Sequence, residues 1–196
     1  MNLPQVQQYL REQGYDGWLL YNFRDLNPIA QAVVGLSHGG SRRWFCWIPA
    51  QGQPSWLIHA IESNMFADLP EEIRGKQTRY VSWQEIAAFL PKVMGLKDGV
   101  RPKIVMEYSP GNAIPFISRI DAGIKEVVEA STGAEIHSSA DVAQLVVDFA
   151  VDGLEQQHFD VIDLVPGDLI DIGQLVPFGI DAKIVGVALG DDAGRL

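Results

Sequence analysis

The sequence predicts an α/β domain built on a mixed β-sheet with helices on both faces, followed by a short acidic β-rich tail. Three observations lead there. Short apolar runs alternate with stretches of helical periodicity, one of those runs is apolar on both of its faces, and the charge balance changes near residue 150. Strands that alternate with amphipathic helices require a sheet covered on each side.

Each element follows from local pattern. Leu3, Val6, Tyr9 and Leu10 fall on one helical stripe, with Pro4 tolerated in the first turn and Gly14 as a stop. Residues 17–21, 42–49 and 54–60 read as strands. In the second, Trp44, Cys46 and Ile48 alternate with Phe45 and Trp47, which suits a strand buried on both sides. Pro49-Ala-Gln-Gly-Gln-Pro54 supplies the turn residues of a hairpin between the second and third. Residues 61–69 read as helix, 78–82 as strand, and 83–94 as a helix carrying Ile86, Phe89, Leu90 and Val93. Residues 103–108 then read as a buried strand, 112–120 as helix, 124–128 as strand, and 139–149 as a helix opened by a serine cap.

The predicted organisation is one domain over residues 1–146 and a divergent acidic tail over 147–196. Residues 151–196 hold nine acids against two bases, whereas the first 150 hold sixteen against thirteen, so the tail carries most of the net charge of −10. It has seven glycines and neither Trp nor Tyr, a poor composition for closing a core alone.

Composition also narrows the function classes. The charge disfavours nucleic acid, whose affinity comes from clustered Lys and Arg. No run of about 18 apolar residues predicts a membrane span, and no leader is legible at the N-terminus, so a cytoplasmic location is expected. Cys46 is the only cysteine, which excludes an intrachain disulfide and points to a buried structural thiol.

Several motifs bear on chemistry. Gly35-Leu-Ser-His-Gly39 matches the nucleophile-elbow pattern, which would make Ser37 an esterase nucleophile with Asp121 or Asp141 and His137 or His158 as partners. The context opposes this reading, because an elbow requires a following helix and a strand is predicted there instead. The four histidines, His38, His59, His137 and His158, stand far apart without a paired zinc spacing, and His59 reads as a hydrogen-bonded histidine inside a strand. Glu107, inside an apolar run, must lie near a strand end or be paired. No phosphate-cradling glycine loop is present. Ser41-Arg-Arg-Trp-Phe45 places two guanidinium groups beside aromatics, a combination suited to carboxylate recognition in a cleft or at an interface. His38, Arg42, Arg43 and Trp44 are therefore the candidates for a substrate- or partner-facing patch.

Four ordered segments, Gly17-Trp-Leu-Leu-Tyr-Asn-Phe-Arg24, Arg42-Arg-Trp-Phe-Cys-Trp-Ile-Pro49, Glu107-Tyr-Ser-Pro-Gly-Asn-Ala-Ile-Pro115 and Ser138-Ser-Ala-Asp-Val-Ala-Gln-Leu145, resemble the N-terminal domain of the creatinase/prolidase/aminopeptidase P family of Xaa-Pro peptidases. The resemblance covers residues 1–146. It implies a domain that mediates oligomer contacts, as a homodimer or against a catalytic peptidase domain, and that walls one side of an active site. In that family the chemistry belongs to a following domain, where two Asp, one His and two Glu hold two divalent metal ions (Mn, Co or Zn) that generate hydroxide and stabilise the oxyanion. Pro166-Gly-Asp-Leu-Ile-Asp-Ile-Gly173 resembles the strand that delivers the first metal aspartate, with Asp171 in that position and Asp181 as a rough counterpart of the second. The His and both Glu have no counterpart, and Ala182-Lys183 stands where the family has Thr-Arg. The expectation is a chain that needs no cofactor of its own and is not catalytic alone, either as an isolated domain or as the non-catalytic subunit of a split peptidase.

Overall fold

The computed structural model describes residues 1–97 and 99–146. The boundary expected after residue 146, the acidic tail, Asp171, Asp181 and His158 lie outside the described residues.

Six strands form one sheet: β1 (Gly17–Asn22), β2 (Trp44–Pro49), β3 (Ser55–His59), β4 (Lys76–Tyr80), β5 (Lys103–Met106) and β6 (Glu135–Ser138), in the order β4-β3-β2-β1-β5-β6. β2 runs antiparallel to both of its neighbours, while β1, β5 and β6 are mutually parallel and β3 is parallel to β4. The sheet is mixed, as predicted. One consequence positions everything that follows: the C-terminal ends of the other five strands and the N-terminal end of β2 share one edge.

The apolar alternation of β2 divides the core in two. Trp44, Cys46 and Ile48 pack on one face with α1 (Leu3–Glu12), α2 (Pro28–Val34) and Val142, Ala143 and Val146 from the helical residues 140–146. Phe45 and Trp47 pack on the other with α4 (Glu85–Val93) and α5 (Ala122–Thr132). A short helix, α3 (Glu71–Arg74), lies in the β3–β4 crossover. In α1, Leu3, Val6 and Leu10 are buried and Asn2 caps the first turn by accepting from Gln5 N–H. Cys46 is fully buried, and burial pushes its thiol well above the ordinary range.

Four elements depart from the sequence reading. Residues 124–128 are helix, not strand: they lie within α5, where Ile124, Val128 and Thr132 recur every fourth residue as the buried stripe. Asp121 caps α5 by accepting from Ile124 N–H, and Gly133 ends it in the left-handed conformation. The last strand lies further along, as β6. Residues 112–120 do not form a continuous helix, because Pro110, the left-handed Gly111 and Pro115 break the segment into two short 3-10 turns. The helix α2 has no counterpart in the sequence reading, although Asn27 caps it, Pro28 opens it and Gly35 closes it at φ +74°. Residues 60–66 likewise form a 3-10 helix, not an α-helix.

Candidate functional site

At the shared strand edge lies a cleft of about 690 Å³, built from five separate stretches of chain. Phe23 follows β1, Arg42 and Arg43 precede β2, and His59 ends β3. Residues 80–83 run from the end of β4 towards α4, and Asp121, Gly123, Ile124 and Val127 come from the start of α5. An open sheet commonly binds ligands at such an edge, where strand ends diverge into loops.

The two arginines are held differently. Arg42 is exposed, and its backbone N–H, with the N–H and hydroxyl of Ser41, donates to the Glu62 carboxylate. Burial pushes that carboxyl up, but the bonds from Ser41 and Arg42 and the Arg42 charge hold it below its ordinary value. Arg43 is half-buried, with its guanidinium 5.7 Å from the Phe23 ring centre, and Arg24 sits 5.9 Å from the same ring. The Tyr80 hydroxyl donates to Arg43 O at 2.7 Å, and burial pushes its phenol up to about 12. Tyr21, beneath this region, is also pushed up to about 12, by burial and then by the Asp121 charge, which the nearby Arg43 partly offsets.

His59 is committed on both sides. Its Nε2 lies 3.0 Å from Val81 O, its Nδ1 accepts from Ile61 N–H at 3.2 Å, and its ring meets Tyr80 edge-on. With both nitrogens bonded, the ring supplies a fixed wall and no free base. The rim is apolar: Val81 and Trp83 are 71% and 65% exposed. Both phenols stay neutral near pH 7, so the cleft offers guanidinium charge, the Asp121 carboxylate, aromatic faces and exposed apolar surface. This is the chemistry of recognition.

The structure separates the four patch candidates. Arg42 and Arg43 line the cleft, and His38 is exposed on the preceding loop without lining it. Trp44 is a correction, since it is 1% exposed, donates its indole N–H to Gly39 O and packs against Trp56 and Phe66. The in-out alternation of β2 turns it into the core. The described residues give Ser37 no elbow geometry. Ser37 follows helix α2 and precedes β2, the reverse of the strand–turn–helix an elbow needs. No hydrogen bond links it to a histidine among the described residues. Of its other proposed partners, Asp121 caps α5, Asp141 accepts from the Tyr9 hydroxyl, and His137 lies 2.9 Å from Glu135.

Phe23, His59, Tyr80, Val81 and Trp83 were not singled out for the cleft, and no spacing in the sequence joins them; only the topology does. Glu107, expected near a strand end or paired with an Arg, immediately follows β5, is fully buried, and has no arginine partner among the described residues. Its carboxylate accepts from Trp18 Nε1 (2.6 Å), Asn27 Nδ2 (2.8 Å) and Ser139 Oγ (3.3 Å). Among the described residues no three His, Cys, Asp or Glu side chains converge in a way that could hold a metal ion.

No family profile and no curated protein matches the chain. Solved structures do. A proline dipeptidase from Streptococcus pneumoniae aligns at 16% identity and TM-score 0.52 over 74% of this chain and 95% of that one. The N-terminal domain of an Xaa-Pro dipeptidase from Lactobacillus brevis aligns at 14% identity and TM-score 0.50 over 74% and 99%. The chain has the fold of an Xaa-Pro dipeptidase N-terminal domain. A dipeptidase from Pyrococcus horikoshii aligns at 15% identity and TM-score 0.56 over 75% of this chain but 36% of its own length, so the described domain corresponds to about a third of that protein. No helix among the described residues is long and apolar enough to cross a membrane.

Proposed function

We propose that this chain acts as the recognition and assembly domain of an Xaa-Pro peptidase system and does not hydrolyse peptides by itself. The observation that carries the reading is the cleft. Arg42 and Arg43 present positive charge beside Phe23, Tyr80 and Trp83 at the strand edge, while the one histidine there has both nitrogens bonded. Such a surface suits a carboxylate-bearing, partly apolar partner. A second copy of the chain or a catalytic peptidase domain would meet it there, the latter either in one polypeptide or as the separate half of a split enzyme. The two divalent ions of such an enzyme would be held by that catalytic domain.

Purified protein supplied with Mn²⁺, Co²⁺ or Zn²⁺ is expected to leave Xaa-Pro dipeptides intact in a chromatographic assay; sustained turnover would overturn the proposal. The double variant Arg42→Ala/Arg43→Ala is expected to fold with its core intact, because neither guanidinium belongs to the core. It should weaken self-association, or association with a catalytic domain, at least tenfold by sedimentation analysis, since desolvated arginines rank among the residues that dominate interfaces. Unchanged association would place the interface elsewhere.

A further inference from the structure

The Glu107 carboxyl sits at a junction the proposed function does not use. Through its three hydrogen bonds it joins β1 at Trp18, the start of α2 at Asn27, and Ser139, the residue preceding the helical residues 140–146. Its carbonyl oxygen also accepts from Arg119 N–H and Ile120 N–H, just ahead of α5.

The chemistry of the three side-chain donors is unequal. An indole N–H and an amide NH₂ only donate, whereas a hydroxyl can donate or accept. An ionised Glu107 satisfies all three as an acceptor. A protonated Glu107 has an O–H of its own to place, and Ser139 Oγ is the one partner of the three that can receive it. One proton taken from solvent thus forms the Glu107 O–H on the oxygen facing Ser139, turns the serine hydrogen away from the carboxyl, and removes the charge that strengthens the Asn27 bond to the other oxygen.

Asn27 carries the other arm. Its NH₂ reaches both Glu107 and Tyr21 O, its backbone N–H donates to Asn22 Oδ1, and its Oδ1 caps α2 through Ala30 N–H. Between Asn22 and Asn27 the chain turns through Arg24 and Asp25, both in the left-handed region at φ 51° and 59°, where side chains are disfavoured. This loop holds Phe23, the wall of the cleft beneath Arg43. We propose that Glu107 is a proton-operated clasp, whose protonation reverses its bond to Ser139 and resets the strained 22–27 loop, moving the Phe23 wall of the cleft.

The charged and titratable groups on the surrounding elements are engaged elsewhere. Asp25 accepts from Gln31 and Gly39, Arg119 donates to Phe116 O, His137 lies against Glu135 and Tyr15, and Asp141 pairs with Tyr9. Burial dominates the three hydrogen bonds and pushes the carboxyl up to about 7, which puts the proton exchange in the neutral range.

The test is a pH titration of the whole chain by NMR, following the Glu107 carboxyl carbon, the Asn27 side-chain amide and Phe23. A Glu107 midpoint well above the ordinary ~4.3, shared by Asn27 and Phe23, is expected. Glu107→Gln, which keeps the shape and cannot titrate, should flatten the Asn27 and Phe23 curves. Trp18→Phe, which removes a donor available to the ionised form, should raise the shared midpoint by about one pH unit. Three results would overturn the clasp: an ordinary Glu107 midpoint, Phe23 curves that ignore it or persist in Glu107→Gln, or a midpoint that Trp18→Phe leaves in place.

Discussion

Glu62 and Glu107 each accept three hydrogen bonds, and their carboxyls shift in opposite directions. Glu62, half-buried against the chain that leads into β2, takes its bonds from Ser41 and Arg42 and sits below its ordinary value. Glu107, at 0% exposure, takes its bonds from Trp18, Asn27 and Ser139 and is pushed up to about 7. The number of donors is equal, so solvent and the neighbouring arginine decide the sign. Where water and Arg42 still reach the carboxylate, hydrogen bonds favour its charge; where neither does, the cost of burying charge exceeds what three donors return.

Truncation should give the largest contrast. Glu107→Ala leaves three buried donors unpaired and opens a cavity, and is expected to cost about 3–5 kcal/mol in urea denaturation, whereas Glu62→Ala should cost about 1 kcal/mol or less. Similar costs at both sites would break the comparison.

The pH dependence is the next largest effect. Because the folded Glu107 carboxyl sits near 7 and the unfolded one near 4.5, the folded state holds a proton that the unfolded chain releases between those values. Its stabilising contribution is full below about pH 4.5 and is lost as pH rises through about 7. Relative to Glu107→Gln, the parent protein should lose about 3 kcal/mol over this window, measured as denaturation midpoints across a pH series. A parallel course for the two proteins would show that burial has not raised this group.

The smallest effect has the opposite sign. Glu62 is shifted down, so its contribution is present above the ordinary carboxylate range and is lost as pH falls through the lowered folded value. Ser41→Ala removes one of its donors and should narrow that loss by a few tenths of a kcal/mol, discounted for its partial exposure to solvent. A narrowing as large as the Glu107 effect would mean that donor count outweighs burial after all.

How much of this was legible beforehand depends on whether the signal is local. The double apolar alternation of β2 and the Pro-flanked hairpin after it were readable, because strand period and turn chemistry are local properties. The segment 124–128 misled because Val127-Val128 favours a strand by composition, while the fourfold spacing of Ile124, Val128 and Thr132 and the Asp121 cap carry the weaker but correct helical signal. The start of α2 is encoded locally too, by the Asn27 cap and Pro28 in the first turn. The cleft is different in kind. Arg42 and Arg43 stood out as adjacent charges among aromatics, but His59, Tyr80 and Phe23 reach them only through strand order, which no window of residues encodes. For Trp44, the same alternation that identified β2 already implied an inward side chain.

Cys46 carries a further consequence. Its side chain lies at the centre of β2, opposite Leu20 on one neighbour and Trp56 on the other, and is wholly enclosed. A maleimide or disulfide reagent can reach that sulfur only when the middle of the sheet comes apart. The chain therefore carries an intrinsic clock: the rate at which its single thiol is labelled counts the openings of the domain itself.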